Sequence, residues 1–346
     1  MEGLNLHASA LRPLRLKPAT SEIHVSLVFP ASWKTLPHPA SQKLEDRTSA
    51  WLREIGVVHN EEQEEKLRKM KASTYAGWPF SECSEERLEI VMRFLSLWIF
   101  YDDAIEEQDD GLSREIQAAV GGQTPALRRS SPHYRGWWEL GQSYGQVMSP
   151  VWMERHARLY GEWQASVAEE FLAASRLREE GSYPKAAEHL RCRTIGIGMI
   201  PLIDFVEYAI DWELPQTLYE STEMRTIWRL TAEIVAIFND VYSFNKDRSI
   251  RWSNIVSCLA AEFKVPEEDA FHWAVAMHNA RVVEMERTEL ALLAKASDRE
   301  GLQAWLKGLH HAIYGLARWH ETSPRYSNPQ SLGDGRSVRV KVLETR

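Results

Sequence analysis

Two short stretches combine residue types and spacings that bind cations. In DDAIE, residues 102–106, Asp102 and Glu106 stand four apart, so on a helix their carboxylates share one side. NDVYSFNKD, residues 239–247, repeats oxygen-bearing side chains at Asn239, Ser243 and Asp247. A step of four residues rotates by only about 40° around a helix, which aligns these three as one polar strip. They offer an amide oxygen, a hydroxyl and a carboxylate, a hard and weakly charged set that suits Mg2+ better than Zn2+. Their backbone spans about 12 Å, long for one ion, yet Asn239 and Asp247 can lean in from either side of the shorter Ser243. Lys246 lies beside the strip, where it would neutralise a phosphate. Each stretch alone has a plainer alternative. DDAIE could be a solvated helix end entering a loop, as Asp109 and Asp110 are read to be, and NDVYSFNKD a helix C-terminal turn with incidental polar residues.

Both stretches need helices to aim them. Leu88, Val91, Leu95, Trp98 and Asp102 follow a spacing of 3, 4, 3, 4, an inward face that ends in a carboxylate. Ser84 can cap that helix, and Glu85 and Glu86 suit its positive start. Trp228, Thr231 and Val235 lead into Asn239 in the same way. Helical patterns also cover 150–180, 184–197, 199–212, 221–247, 253–264, 267–296 and 301–320. Strand-like alternation is scarce, and neither a βαβ rhythm nor an internal repeat is visible. The expectation is one all-α domain over 43–326. An N-terminal arm at 1–42 precedes it, with one short strand at IHVSLVF, and a polar, mobile tail follows at 327–346.

The 346 residues are 44% hydrophobic and 26% charged, enough apolar mass for a sizeable core. A net charge of −8 without a basic stripe argues against nucleic acid. Cys83, Cys192 and Cys258 lie far apart with no CxxC, which argues for a reducing, cytoplasmic setting. Apolar runs such as LSLWIF are too short to span a bilayer, so no integral membrane association is expected. The first residues hold Arg12, Arg15 and Lys17 but no apolar core, so no secretory signal is expected. His310–His311 reads as a surface or cap feature. Asp204, Glu207 and Asp211 read as a solvated face or as partners for nearby arginines.

The two stretches together resemble the paired motifs of class I terpene synthases, DDxx(D/E) and (N/D)Dxx(S/T)xxx(D/E). The second fits at every required position, whereas the first carries Glu106 where many members have Asp. Arg193 stands 46 residues before Asn239, as the family's diphosphate-sensing arginine does, although Arg191 is close enough to share that role. An Arg-Tyr pair, Arg325 and Tyr326, follows Asn239 by 86 residues, and SNIV at 253–256 resembles the segment after the second motif. The resemblance covers roughly 50–326.

That resemblance implies a single-domain helical bundle around a central apolar cavity and a Mg2+-dependent carbon–oxygen lyase. Asp102, Glu106, Asn239, Ser243 and Asp247 would hold three Mg2+ ions, while Arg193, Lys246, Arg325 and Tyr326 would grip a prenyl diphosphate. Ionisation would give an allylic cation that cyclises between apolar walls, with Arg193 and Tyr326 counted among the catalytic groups. Phe94, Trp98 and Trp319 are the main candidates for cavity lining, and Phe238, Trp305 and Tyr208 weaker ones. In TIGIGMIP after Arg193, any of Thr194, Gly196 and Ile197 could face the substrate. Chain length points to farnesyl diphosphate and a sesquiterpene product. Monoterpene and diterpene synthesis, and a chain-elongating prenyltransferase, are the alternatives. An exposed outer helix face could support a homodimer.

Overall fold

In the computed structural model, residues 21–104, 110–123, 131–324, 326, 329–331 and 337–342 are described. Their helices begin and end where local chemistry dictates. α4 (Glu85–Ala104) starts with the Ser84 hydroxyl accepting from the Arg87 N–H at 3.3 Å. α7 (Pro150–Glu180) starts with Ser149 accepting from the Trp152 N–H at 3.1 Å and ends in left-handed Gly181. α8 (Ala186–Gly196) and α9 (Met199–Ile210) are separated by a short break at Ile197 and Gly198. α11 (Thr222–Ser249) is capped by Ser221 and is buried on nearly all sides, as a central helix must be. Around it stand α12 (Ile255–Phe263), α13 (Glu267–Lys295) and α14 (Arg299–Thr322). Shorter helices complete the bundle: α1 (Ser41–Glu54), α2 (Glu61–Met70), α3 (Ala72–Gly77), α5 (Asp110–Val120), α6 (Pro132–Tyr144) and α10 (Gln216–Tyr219).

The all-α architecture expected from periodicity is present, with one addition. β1 (Ser21–Ser26), β2 (Pro329–Ser331) and β3 (Ser337–Val342) form a small antiparallel sheet in the order β1-β3-β2. Ser21 pairs with Val342 and Ser26 with Ser337, while Pro329 pairs with Val340. The tail expected to be mobile is therefore strand-forming at 329–331 and 337–342, because the N-terminal arm offers it a free strand edge.

A deep aromatic core fills one end of the bundle. Phe94 makes edge or tilted contacts with Trp98, Trp137, His156, Tyr160 and Phe205. Asp204 and Glu207 are fully buried there against Arg155, while exposed Asp211 pairs with Arg87. They are thus arginine partners, and Asp204 and Glu207 are not solvated. His311 is buried and His310 stacks on Trp33 at 4.5 Å and bonds Glu289, so neither is the surface feature expected of them. Among the described residues no helix is long and apolar enough to cross a membrane.

Candidate active site

A cavity of about 300 Å3 opens between α3, α4, α7, α8, α9, α11 and α14. Its lining divides sharply. Asp102, Glu170, Arg193, Asn239, Ser243, Lys246, Asp247, His320 and Tyr326 are polar, and the remaining side chains are apolar or aromatic. Asp102 reaches it from the last turn of α4, and the Asn239, Ser243 and Asp247 strip from the last turns of α11. Helix period sets each group on its helix face, and the packing of the bundle turns both faces toward one space. Glu106 and Arg325 lie outside the described residues.

The oxygens of the strip already have internal partners. Arg193 Nη2 donates to Asn239 Oδ1 at 2.9 Å. His320 Nδ1–H donates to the Leu316 carbonyl at 2.7 Å, which leaves its Nε2 to accept from Asn239 Nδ2 at 2.8 Å. His320 thereby fixes which end of the Asn239 amide faces Arg193. Tyr326 stacks on His320 at 4.7 Å, and its hydroxyl accepts from Asn239 Nδ2 at 3.4 Å. Ser243 donates to Asp247, and Asn254 donates to the same carboxylate at 2.8 Å. Burial, reinforced by nearby Asp240, pushes the Asp247 carboxyl up to about 6. A buried carboxylate in that state gains most from a bound cation.

Behind the strip, Asp240 points away from the cavity. Its carboxylate accepts from His189 Nε2 and from the Ile255 N–H, both at 2.7 Å. Burial works to raise this carboxyl, but His189 and Arg193 outweigh it and hold it below the ordinary range. Arg193 is similarly opposed by burial, and Glu170, Asp240 and Asp247 hold its guanidinium above its ordinary value. Arg191 is exposed and lies on an outer groove, so of the two arginines Arg193 faces the cavity.

Trp98 packs against Trp163 at 4.5 Å, and Phe171 against Trp252 at 5.1 Å beside the polar end, where the Trp252 N–H donates to the Asp247 carbonyl at 2.8 Å. Trp319 donates its indole N–H to the Met70 carbonyl at 2.7 Å, which orients its ring beside Tyr75. Phe94 does not line the cavity. It lies one layer deeper, behind Trp98, because four residues of helix carry it below the cavity floor. Phe238, Trp305 and Tyr208 are also buried away from it. Gly196 and Ile197 line the cavity, whereas Thr194 turns back to bond the Leu190 carbonyl at 2.7 Å.

Glu170, His320, Asp240 and Asn254 were not singled out by sequence reasoning. His320 adjoins Trp319 and Asn254 falls in SNIV, so position alone could have drawn attention to both. Nothing in the α7 pattern marks Glu170.

Amide, hydroxyl and carboxylate oxygens converging on one cavity fit a hard divalent cation such as Mg2+.

The sequence profile described as "Terpene synthase family 2, C-terminal metal binding" matches residues 93–284. Pristinol synthase of Streptomyces pristinaespiralis is 22% identical over 89% of this chain and 86% of its own. The (2E,6E)-farnesyl diphosphate-cyclizing 7-epi-alpha-eudesmol synthase of Streptomyces viridochromogenes is 26% identical over 84% of this chain and 89% of its own. Among solved structures, an α-eudesmol synthase superposes with a TM-score of 0.76 at 20% identity, over 86% of this chain and 99% of that one. The linalool/nerolidol synthase of Streptomyces clavuligerus gives 0.74 at 19% identity, over 85% and 99%.

Proposed function

The chain belongs to the metal-binding terpene synthase family, and on that premise we propose how its cavity works as a sesquiterpene cyclase acting on farnesyl diphosphate. The carrying observation is the division of the cavity, with cation- and anion-binding side chains at one end and aromatic walls at the other. The family's divalent metal is read as Mg2+, three ions in number, held by Asp102, Glu106, Asn239, Ser243 and Asp247. When bound, Mg2+ supplies Lewis-acid stabilisation of the departing diphosphate.

The chain's own residues do the rest. Arg193, Lys246, Arg325 and Tyr326 bind diphosphate oxygens, adding positive charge and hydrogen bonds where negative charge develops. Asn239 and Asp247 must exchange their internal partners for metal and substrate, so Arg193 is redirected from the Asn239 amide oxygen toward the diphosphate. Trp98, Trp163 and Trp319 present faces or edges to the hydrocarbon and exclude water from the carbocation. A rigid aromatic layer behind Trp98, with Phe94 in it, keeps that wall in shape. The product is set by wall contour and by where the last cation loses its proton.

Neighbouring exposed Phe263 and Trp273 support association as a homodimer, and three unpaired cysteines fit a cytoplasmic setting. Incubating purified protein with Mg2+ and geranyl, farnesyl or geranylgeranyl diphosphate, with volatile analysis, tests the reading. A cyclic C15 hydrocarbon or alcohol is expected from farnesyl diphosphate, and none when the metal is chelated. Elongated diphosphates, or cyclic product from only another chain length, would refute it.

A further inference from the structure

Arg193 is held chiefly by a residue from a different helix. Its Nη1 donates to both carboxylate oxygens of Glu170, on α7, at 3.1 Å each. Both side chains are nearly buried, at 15% and 12% exposure, and both line the cavity. The other partners of the guanidinium, Asn239 and Asp240, are on α11. Glu170 therefore pulls against α11 and keeps Arg193 centred at the polar end.

Gly196 explains how Glu170 reaches it. Gly198, two residues on, needs glycine for its backbone, at φ +71°. Gly196 has no such need, since it ends α8 with ordinary helical dihedrals. What a side chain at 196 would displace is the end of Glu170 itself. A Cβ there would lie 2.5 Å from Glu170 Cδ. The carboxylate that holds Arg193 thus fills the volume a side chain three residues after Arg193 would fill.

We infer that Glu170 is the positioning residue for Arg193, and that residue 196 is glycine to make room for it, the two forming a reciprocal pair. Without Glu170, only the α11 contacts to Asn239 and Asp240 remain, and Arg193 stays drawn onto the Asn239 amide oxygen, the group assigned to metal. Diphosphate and metal then both bind less well. A carboxylate placed at 196 starts from that volume and can reach Arg193 in place of Glu170, but only when Glu170 is absent.

This inference rests on Arg193 gripping diphosphate, and the experiment separates the two. Binding of inorganic diphosphate in the presence of Mg2+ is measured by calorimetry for Arg193→Ala, Glu170→Ala, Glu170→Gln, Gly196→Asp and the double variant Glu170→Ala/Gly196→Asp, with thermal unfolding as a check on folding. Loss of a charge-assisted hydrogen bond predicts roughly tenfold or more weaker binding for Arg193→Ala and Glu170→Ala. Glu170→Gln retains an acceptor and falls between Glu170→Ala and the parent protein. Gly196→Asp alone is weakened, and the double variant binds more tightly than either single variant. Unchanged binding by Arg193→Ala overturns both readings. A weakened Arg193→Ala with an unchanged or tighter Glu170→Ala overturns the role of Glu170 alone, as does a double variant that merely adds the two losses. If Glu170→Ala does not fold, Glu170→Gln and the comparison of the double variant with Gly196→Asp decide the matter.

Discussion

Gly181 and Gly198 share a left-handed backbone, at φ 69° and ψ 15° for one and φ 71° and ψ 11° for the other. Their surroundings differ completely. A Cβ at Gly181 meets nothing within 4 Å, whereas one at Gly198 would lie 2.6 Å from Trp98 Cζ2. Changing each to alanine therefore separates backbone strain from collision with the cavity wall. Strain alone costs about 1–2 kcal/mol in either place. At 198 the indole must also retreat by about 0.9 Å to regain an ordinary carbon–carbon contact. Phe94 and Tyr160 pack on it in the buried aromatic layer, and Trp163 shares the cavity wall with it, so its displacement reshapes that wall. Overpacking of this kind adds about 1–3 kcal/mol. Denaturant unfolding should thus show Gly198→Ala losing about 1–3 kcal/mol more than Gly181→Ala. Gas chromatography of the volatile products should show an altered product profile for Gly198→Ala only. Equal losses, with an unchanged profile at 198, would refute the assignment of Trp98 as a wall whose position is set by Gly198.

Asp102→Ala and Asn239→Ala should each lower turnover by roughly 10²-fold or more, the scale of single charge-stabilising groups, while Asp109→Ala does little. Comparable rates for all three would remove the metal assignment. Burial depresses the His278 imidazole from 6.5 to about 4, so it folds neutral. The stability tied to that difference is present above pH 6.5 and is lost as pH falls toward 4. His278→Gln should therefore lose less stability than the parent protein between those values, read as unfolding midpoints. An identical acid profile would show that His278 is protonated equally in both states.

Elements punctuated locally were legible. Ser149 and Pro150 before the α7 pattern and Gly181 after it mark that helix at both ends, and 150–180 is what forms. Asn239, Ser243 and Asp247 share a face because a four-residue repeat permits nothing else on a helix, and all three line the cavity. Phe94 shows the limit of the same logic, since periodicity gives direction but not depth. Asp204 and Glu207 look like solvent-facing acids until Arg155 arrives from α7 to pair them. The sheet escaped notice because its strands come from opposite ends of the chain. Glu170 was silent because its meaning depends on an absence at position 196, on another helix.

That sheet joins the two ends of the chain. Asn279 on α13 fastens the end of β1 by donating to the Ser26 carbonyl at 3.1 Å and accepting from the Val28 N–H at 2.9 Å. β3 is zipped along β1, and β2 along β3. In sequence Tyr326 falls between the end of α14 and β2, and the Ser323 hydroxyl is tied to the Lys69 carbonyl. β1 and β3 thus set the beginning and the end of the chain side by side, and Tyr326, which lines the cavity, comes only three residues before β2.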